Sequence, residues 1–246
     1  MKIEGKTVLL TGGARRLGAF LAQALAREGG QLILHYHRSA EEARSLADEL
    51  SHASGRVVPV EQDLSKPGGA EELFHKIEQS GLTPHFLINS ASSYHRSQWS
   101  NLMLEELESS LRLNTWAPFE LSRQFSRLPE AESIVNILDA RMVDYDSQHL
   151  GYHLSKRLLQ DLTRVLCREL APRIRVNAVA PGIILPDRSD DPELLEKYRG
   201  ATLLRRIGSP EDVAEAVLYL LGARFVTGQV LFVDGGRHMG GRFYGS

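Results

Sequence analysis

A glycine-rich segment at residues 11–18, TGGARRLG, does most to constrain what this chain can fold into. It follows an apolar run at residues 7–10 and precedes an amphipathic run at residues 19–27. A strand, a glycine turn and a helix in this order can seat a dinucleotide pyrophosphate at the helix N-terminus. Small residues let the backbone approach the phosphates, and the free N–H groups of the first helical turn bind them. The segment therefore predicts a dinucleotide site.

Strand-like and helix-like segments alternate along the rest of the chain. Near-continuous apolar runs, such as residues 86–88 and 134–138, are typical of a parallel sheet that is covered on both faces. The alternation implies right-handed crossovers, so we expect an α/β, three-layer Rossmann fold with a doubly wound, parallel, seven-stranded sheet, in a single domain over residues 1–246. The predicted strands are 7–11, 31–36, 56–60, 85–89, 133–138, 174–179 and 229–233, and the predicted helices are 17–28, 40–52, 69–79, 103–112, 114–127, 150–171 and 209–222.

The composition argues against several classes of protein. A net charge of −2, from 29 basic and 31 acidic residues, gives no overall field that would attract nucleic acid or an anionic membrane. The single cysteine, Cys167, cannot form an intrachain disulfide, which fits a reducing compartment. The first residues lack the apolar core of a signal peptide, and no apolar run approaches the roughly 20 residues that span a bilayer. We expect a soluble cytoplasmic protein with neither a nucleic-acid nor a membrane partner.

The end of the second predicted strand indicates which dinucleotide is bound. An NAD site usually places an acidic residue there for the ribose hydroxyls, but residues 34–39 read LHYHRS. Arg38 can form charge-assisted bonds to a 2′-phosphate, with Ser39 as a neutral donor. By itself, Arg38 would more simply be a solvated surface residue. Together with Arg15 and Arg16 of the glycine segment, it favours NADP.

Polar residues follow the third and fourth predicted strands. Asp63 and Leu64 follow one strand, and Asn89, Ser90 and Ala91 follow the other. Ligands of open α/β sheets bind at these carboxyl ends, where Asp63 can accept a bond from the adenine amino group. The alternative is that these residues cap the next helix, and both roles can coexist.

Tyr152 and Lys156 form a pair within a predicted helix. Their spacing of four places them on one face, one turn apart. A phenol with a pKa near 10 is a poor acid or base at neutral pH, and a nearby ammonium favours the phenolate. The pair therefore suggests acid–base chemistry, with an ordinary helix-surface pair as the alternative.

The motifs occur in the order found in short-chain dehydrogenases/reductases, and the chain resembles that family over nearly its whole length. The matching features are the glycine segment, Asn89-Ser90-Ala91, Asn114, Tyr152 with Lys156, Pro181-Gly182 and residues 233–236. The resemblance implies hydride transfer between NAD(P) and a substrate carbon. It implies that Tyr152 donates a proton, that Lys156 lowers the pKa of Tyr152 and binds the nicotinamide ribose, and that Asn114 organises a water relay.

The same resemblance, combined with the residue-level arguments, gives a set of expected cofactor contacts. Residues at Pro181-Gly182 and near Ile184 would line the nicotinamide. The full set is Gly12, Arg16, Leu17, Gly18, His37, Arg38, Ser39, Asp63, Leu64, Asn89, Ser90, Ala91, Tyr152, Lys156, Pro181, Gly182 and Ile184.

Two departures from the family pattern are shared with pteridine reductases. Asp139 stands about 13 residues before the tyrosine, where most members carry serine, and Arg16 stands where the middle glycine is usual. Residues 35–39 and 91–93 also resemble pteridine reductases. Residues 234–238, DGGRH, resemble the related bacterial dihydromonapterin reductases.

The chemistry of a pterin agrees with that resemblance. A flat, amide-rich ring needs an aromatic face and polar groups at its edge, which Tyr94 and Ser92 would supply together with Arg16. The reducible bond is a C=N, so an acid such as Asp139, paired with Tyr152, suits protonation of its nitrogen. The alternatives are that Asp139 caps a turn after the fifth strand and that Tyr94 is a partly buried loop residue.

The sequence thus predicts an NADPH-dependent reductase of a dihydropterin or dihydrofolate, with Asp139, Tyr152, Lys156 and Asn114 as catalytic residues and no metal. The alternatives are a carbonyl reductase, for example of a 3-oxoacyl thioester, and a non-catalytic NADP-sensing protein. By resemblance, a homotetramer would form through helices 103–127 and 150–171. The irregular segment 182–208 would be a substrate lid or a passive surface loop, and residues 239–244 would extend over a neighbouring subunit or fray.

Overall fold

A seven-stranded parallel sheet forms the centre of the molecule, as seen in a computed structural model that describes residues 3–144, 147–185 and 191–240. The strand order is β3-β2-β1-β4-β5-β6-β7, and every neighbouring pair is parallel. This confirms the predicted Rossmann fold. The strands are β1 Thr7–Leu10, β2 Gln31–Tyr36, β3 Val57–Glu61, β4 Phe86–Asn89, β5 Ser133–Ile137, β6 Arg175–Pro181 and β7 Val230–Val233.

Helices cover both faces of the sheet and connect its strands. α1, α2 and α8 pack on one face, and α3, α5 and α6 pack on the other. No helix within the described ranges combines the length and apolarity that crossing a membrane requires. The helices are α1 Arg16–Arg27, α2 Ala40–Ser54, α3 Gly69–Gln79, α4 Leu104–Leu111, α5 Ala117–Phe125, α6 Leu150–Glu169, α7 Pro192–Gly200 and α8 Pro210–Gly222.

Alternation along the strands produces the two buried layers. In β1, Val8 and Leu10 point into the cluster that contains Leu21 of α1, whereas Leu9 points into the cluster that contains Leu73 of α3. Successive strand side chains face opposite sides of a sheet, so a strand buried on both faces is apolar at most positions. Each fully buried leucine contributes about 1.5–3 kcal/mol.

Two elements differ from those the sequence predicts. A π-helical turn, Arg112–Trp116, joins α4 to α5, where two separate helices were expected. The segment 182–208 contains α7, which the sequence analysis did not predict. Asp191 caps α7 by accepting a bond from the backbone N–H of Glu193 at 2.9 Å. The helix starts with Pro192, because proline suits the first helical position although it breaks helix interiors.

Some of the predicted features lie outside the described residues. Residues 186–190, which include Pro186 of the expected lid, belong to this group. So do residues 241–246, which include residues 241–244 of the expected C-terminal extension.

The topology places the candidate site at the carboxyl edge of the sheet. β1 and β4 are neighbours at the centre of the strand order. β2 and β3 lie beyond β1 on one side, and β5, β6 and β7 lie beyond β4 on the other. Ligands of doubly wound sheets bind in the crevice at such a switch point. The segments that leave β1, β4, β5 and β6 all meet there, and they carry most of the predicted site residues.

Candidate active site

The glycine loop after β1 is shaped by close backbone contacts. Gly12 has a φ of +65°, and a Cβ there would lie 2.8 Å from the Cα of Ala91. A Cβ on Gly18 would lie 2.0 Å from the carbonyl oxygen of Gly12. These positions admit only glycine, because the loop packs against both the β4 loop and the first turn of α1. The N-terminus of α1 thereby follows directly on the loop after β1, where a helix N-terminus can bind a phosphate.

Arg16 keeps a glycine-like backbone although it is not glycine. Its φ is +50°, and its side chain is exposed at the first residue of α1. A residue with a Cβ pays about 1–2 kcal/mol for this left-handed conformation. The loop therefore has the geometry expected when glycine stands at this position, with a cationic side chain added. Arg15 beside it lies 3.6 Å from Glu42, as an exposed ion pair.

His35 supports the glycine loop from β2, a role that the sequence analysis missed. Its Nδ1 accepts from the N–H of Gly12 at 3.1 Å, and its Nε2 donates to the carbonyl of Gln62 at 2.9 Å. Burial lowers the pKa of His35 to about 4, so the ring is neutral at physiological pH. A histidine within an otherwise apolar strand was the available signal, since a buried polar ring needs partners.

The residues expected to read the adenosine end lie beyond β2 and β3. His37 and Arg38 are exposed, and Ser39 is half-buried at the N-cap position of α2. Asp63 accepts from the backbone N–H and the hydroxyl of Ser65 at 3.0 and 2.6 Å, and the Ser65 hydroxyl holds the pKa of Asp63 below its usual value. Asp63 thus orders a turn. It does not cap α3, which is preceded by Gly68 at the cap position. Leu64 is buried in the core.

Thr11 and Asn89 fix the chain where β1 and β4 end. The Thr11 hydroxyl accepts from the N–H groups of Ser90 and Ala91, each at 3.0 Å. The Asn89 side-chain amide donates to Asn136 at 2.8 Å inside the sheet. Asn89 and Ser90 therefore do not cap the next helix, because α4 begins only at Leu104.

Asp139 uses one carboxylate oxygen for the fold and the other for Tyr152. Oδ1 accepts from the backbone N–H of Arg141 at 2.7 Å, which caps the short 3-10 helix Ala140–Met142. Oδ2 accepts from the phenol hydroxyl of Tyr152 at 2.9 Å. The capping role that the sequence offered as an alternative is therefore present together with the proton-sharing contact.

Lys156 is buried beneath Tyr152, one helical turn away. Its Nζ donates to the carbonyl of Ile137 at 2.8 Å and lies 5.7 Å from the centre of the Tyr152 ring. Burial lowers the pKa of Lys156 to about 8, although the carboxylate of Asp139 acts in the opposite direction. The two side chains share one face of α6, as their spacing predicts.

The pKa of Tyr152 shifts in the direction opposite to the sequence-based expectation. Burial, and then the charge and hydrogen bond of Asp139, raise this pKa well above the usual value of a phenol. The expected net lowering of this pKa is wrong for this arrangement, because burial and the carboxylate of Asp139 dominate and the Lys156 ammonium donates to Ile137. The site therefore holds Tyr152 as a neutral phenol that keeps its proton in the absence of a strongly basic acceptor.

Asn114 ties the segment after β4 to α6. It is fully buried in the π-helical turn, and its Oδ1 accepts from the N–H of Ser93 at 2.9 Å and the hydroxyl of Ser92 at 3.1 Å. Its Nδ2 donates to the carbonyl of Ser93 and to the Ser155 hydroxyl at 3.1 and 3.0 Å. The structure thus gives Asn114 a positioning contact, and its part in a water relay stays a prediction.

Tyr94 lies against Tyr152. Its ring meets the Tyr152 ring edge to face, with centroids 4.7 Å apart, and stacks on the ring of His149 at 3.9 Å. The side chain remains 55% exposed. Tyr94 therefore presents exposed aromatic surface beside the Tyr152 ring.

The segment after β6 meets the C-terminal turn. A Cβ on Gly182, which follows Pro181, would lie 2.7 Å from the Cβ of Asp234, and the side chain of Ile184 is buried. Asp234 accepts from the N–H of His238 at 2.7 Å. This turn is thereby held beside the crevice. Within the part of the chain that the structure describes, no group of His, Cys, Asp and Glu side chains is arranged to hold a metal ion.

The parallel sheet, the glycine loop and the Asp139–Tyr152–Lys156 cluster define an oxidoreductase of the Rossmann class. More specifically, the chain belongs to the short-chain dehydrogenase/reductase family: a family model described as enoyl-(acyl carrier protein) reductase matches residues 12–238. Similarity to pterin and folate reductases places it in the pteridine reductase-like subgroup of that family.

Three similar proteins illustrate the family and, in two cases, the subgroup. The 3-oxoacyl-(acyl-carrier-protein) reductase FabG of Aquifex aeolicus (strain VF5) is 31% identical over 245 residues, covering 96% of this chain and 98% of the relative. A dihydromonapterin reductase of Citrobacter koseri is 28% identical over 239 residues, covering 94% and 96%. The solved structure of FolM alternative dihydrofolate reductase 1 from Brucella canis, complexed with NADP, superimposes with a TM-score of 0.90 at 31% identity, covering 99% of this chain and 98% of that one.

Proposed function

We propose that this protein is an NADPH-dependent reductase that transfers a hydride to a C=N bond of a dihydropterin of the dihydrobiopterin, dihydromonapterin or dihydrofolate type. The observation that carries the proposal is the 2.9 Å hydrogen bond from Tyr152 to Asp139, with the exposed Tyr94 ring 4.7 Å from the Tyr152 ring. The dihydromonapterin reductases and the alternative dihydrofolate reductase among the relatives support the same substrate class.

The cofactor of this reductase is NADP(H). The backbone at Gly12 and Gly182 leaves no room for side chains, as a close-fitting dinucleotide cradle requires. Arg16 and Arg38 are exposed cations near the two ends of that cradle and would hold the pyrophosphate and the 2′-phosphate. When bound, the nicotinamide supplies the hydride.

The chain's own residues manage the proton. As the carbon of the C=N bond receives hydride, its nitrogen becomes basic and takes a proton, which gives a CH–NH product. The Tyr152–Asp139 pair delivers that proton, because its raised pKa keeps the phenol protonated until the nitrogen becomes basic. The Lys156 ammonium lies beneath the ring and stabilises the phenolate that remains, until solvent returns a proton to the pair.

A substrate panel tests the proposal directly. Dihydrobiopterin, dihydromonapterin and dihydrofolate are supplied beside an acetoacetyl thioester, and the loss of NADPH absorbance is followed. We expect turnover of at least one dihydropterin substrate. Turnover of the thioester alone would overturn the proposal.

Asp139→Ser sharpens the substrate test. Serine is the residue usual among carbonyl-reducing members, and it offers one oxygen where aspartate offers two. We expect pterin turnover to fall by about tenfold or more, since a positioned general acid contributes roughly 100-fold or more. Thioester turnover should not fall with it. Full retention of pterin turnover would make Asp139 a purely structural cap.

Carbonyl reduction is the second candidate function. It is favoured by the 31% identity to the 3-oxoacyl reductase of Aquifex aeolicus. Asp139 and Tyr94 weigh against it, because a carbonyl oxygen needs neither an acid at that position nor a stacking ring. A non-catalytic NADP sensor is weakened by the intact Asn114, Tyr152 and Lys156. Binding of NADPH without reduction of any pterin or carbonyl would favour it.

The proposed form is a cytoplasmic homotetramer of a single-domain chain. Exposed apolar side chains on the π-helical turn and on α6 support assembly through these helices, because exposed apolar surface is unfavourable in water. They include Trp116 at 54%, Leu158 at 49% and Val165 at 52% exposure. Light scattering coupled to size-exclusion chromatography tests the assembly, and a monomeric mass would contradict it.

A further inference from the structure

We propose that His149 is a specificity-determining residue of this site, which fixes the Tyr94 ring so that it offers a preformed face to a flat heteroaromatic substrate. The inference rests on the proposed function, since it names what selects the pterin ring. His149 belongs to neither the glycine loop nor the Asp139–Tyr152–Lys156 cluster, and the sequence analysis gave it no role.

The backbone around Tyr94 is anchored on both sides. On one side, Asn114 accepts from the N–H of Ser93 and donates to its carbonyl, at 2.9 and 3.1 Å. On the other side, the N–H of Ser97 donates to the carbonyl of Gln148 at 2.7 Å. The Tyr94 backbone is therefore held at two points within a few residues, which leaves the orientation of its ring to side-chain contacts.

His149 lies where it can supply that orientation. It occupies the N-cap position of α6, three residues before Tyr152, and is joined to Ser97 by an isolated parallel bridge. The N–H of Leu150 donates to the Ser97 carbonyl at 2.8 Å, so the bridge is built from main-chain atoms. The imidazole is thus carried on a fixed backbone, and changing the side chain leaves the bridge intact.

The contact between the rings is mainly stacking. The ring planes of Tyr94 and His149 differ by 15°, their centroids are 3.9 Å apart, and the phenol oxygen lies 3.0 Å from Nδ1. An imidazole nitrogen accepts a hydrogen bond in its own ring plane, whereas near-parallel rings place the phenol oxygen above that plane. An aromatic side chain at position 149 therefore supplies a stacking contact that helps to hold Tyr94.

The position of Tyr94 explains why this matters for substrate choice. His149 covers part of the ring and Tyr152 meets it edge to face, yet 55% of the side chain stays exposed. A ring that is already ordered costs less to bind than one that must be immobilised on binding. A pterin uses an aromatic face, and a flexible acyl thioester does not. His149 therefore favours the flat substrate selectively.

The test compares three single variants of the full-length enzyme. His149→Ala removes the stack, His149→Phe keeps an aromatic ring without nitrogen atoms, and His95→Ala is the matched control because His95 is an exposed histidine next to Tyr94. Steady-state constants are measured for the dihydropterin that the wild type reduces and for acetoacetyl thioester, and NADPH affinity and far-ultraviolet circular dichroism check the fold.

We expect His149→Ala to raise the KM for the dihydropterin about three- to tenfold, the range that an aromatic pair supplies. Its kcat should stay within about twofold, and the thioester KM should not change. His149→Phe and His95→Ala should resemble the wild type. An unchanged pterin KM in His149→Ala overturns the inference, as does an equal rise for both substrates. A His149→Phe variant as impaired as His149→Ala overturns the stacking role.

Failure of the proposed function is visible separately. If the wild type reduces the thioester and no dihydropterin, the proposed function fails, and the inference about His149 fails with it. If the wild type reduces a dihydropterin and the three variants match it, the function stands and only the role of His149 is lost.

Discussion

The cofactor side and the substrate side of the site differ in what determines their shape. On the cofactor side, main-chain geometry dominates: Gly12 and Gly18 pack against backbone atoms, and His35 fixes the loop by bonding its N–H. On the substrate side, side chains dominate: Asp139, Tyr152 and Tyr94 come from different segments and meet only in the folded molecule. We infer that the cofactor side determines that a dinucleotide is bound, and that the substrate side determines which substrate is reduced.

The largest expected effect is on the substrate side. Tyr152→Phe removes the hydroxyl that donates to Asp139 at 2.9 Å. We expect kcat to fall by about 100- to 10,000-fold, the range of general acid catalysis, while NADPH affinity changes little. Stopped-flow turnover and NADPH fluorescence titration measure the two quantities. An unchanged kcat would remove Tyr152 from the chemistry.

The next largest effect is the dependence of kcat on pH, which we attribute to Lys156. Burial lowers the pKa of Lys156 to about 8, so its ammonium is present below that pH and is lost as the pH rises through it. Because the cation stabilises the phenolate of Tyr152, kcat should fall above pH 8 by up to about tenfold per pH unit. Initial rates in a constant-ionic-strength buffer series show this, and a flat profile between pH 7 and about 10 would contradict it.

Arg38→Asp tests the cofactor side. A charge-assisted hydrogen bond contributes about 1.5–3 kcal/mol, so NADPH affinity should fall about 10- to 100-fold while NADH affinity falls far less. Isothermal titration with both nucleotides measures the ratio, and Arg27→Asp, at an exposed arginine in the last turn of α1, serves as a control for the change of charge. Equal losses for the two nucleotides would show that Arg38 does not read the 2′-phosphate.

Arg16→Gly has the smallest expected effect. Glycine removes the strain at φ +50°, about 1–2 kcal/mol, but it also makes the unfolded chain more flexible by about 0.5–1 kcal/mol. We expect the free energy of unfolding to change by about 1 kcal/mol or less, and NADPH affinity to fall about fivefold or less, as for one exposed ion contact. Urea denaturation and nucleotide titration check both. A loss of several kcal/mol in stability would show that the side chain supports the loop.

The comparison also explains how much could be predicted from the sequence. Strand bounds and the glycine loop were predictable, because apolar runs and glycine turns are local patterns. The cluster of Asp139, Tyr152 and Lys156 was predictable because helical spacing and the order of motifs restrict where these residues can meet. The capping contact of Asp139 was also foreseen, as an alternative, from its place after a strand.

The remaining features depend on contacts that the sequence does not encode locally. The direction of the pKa shift of Tyr152 depends on which group accepts the hydrogen bond from its hydroxyl, and on the fact that Lys156 donates to Ile137. The spacing of residues along α6 predicts neither contact. The roles of His35 and His149 depend on partners far away in the chain. Helix α7 was missed because Pro192 is read as a breaker until its capping neighbour is seen.

The two oxygens of Asp139 tie the chemistry of the site to the shape of the chain. One oxygen caps the short 3-10 helix that follows β5, and the other accepts from the phenol hydroxyl of Tyr152, so the two contacts do not share an acceptor atom. Removal of the carboxylate therefore disturbs two places at once, the turn after β5 and the hydrogen bond of the Tyr152 phenol.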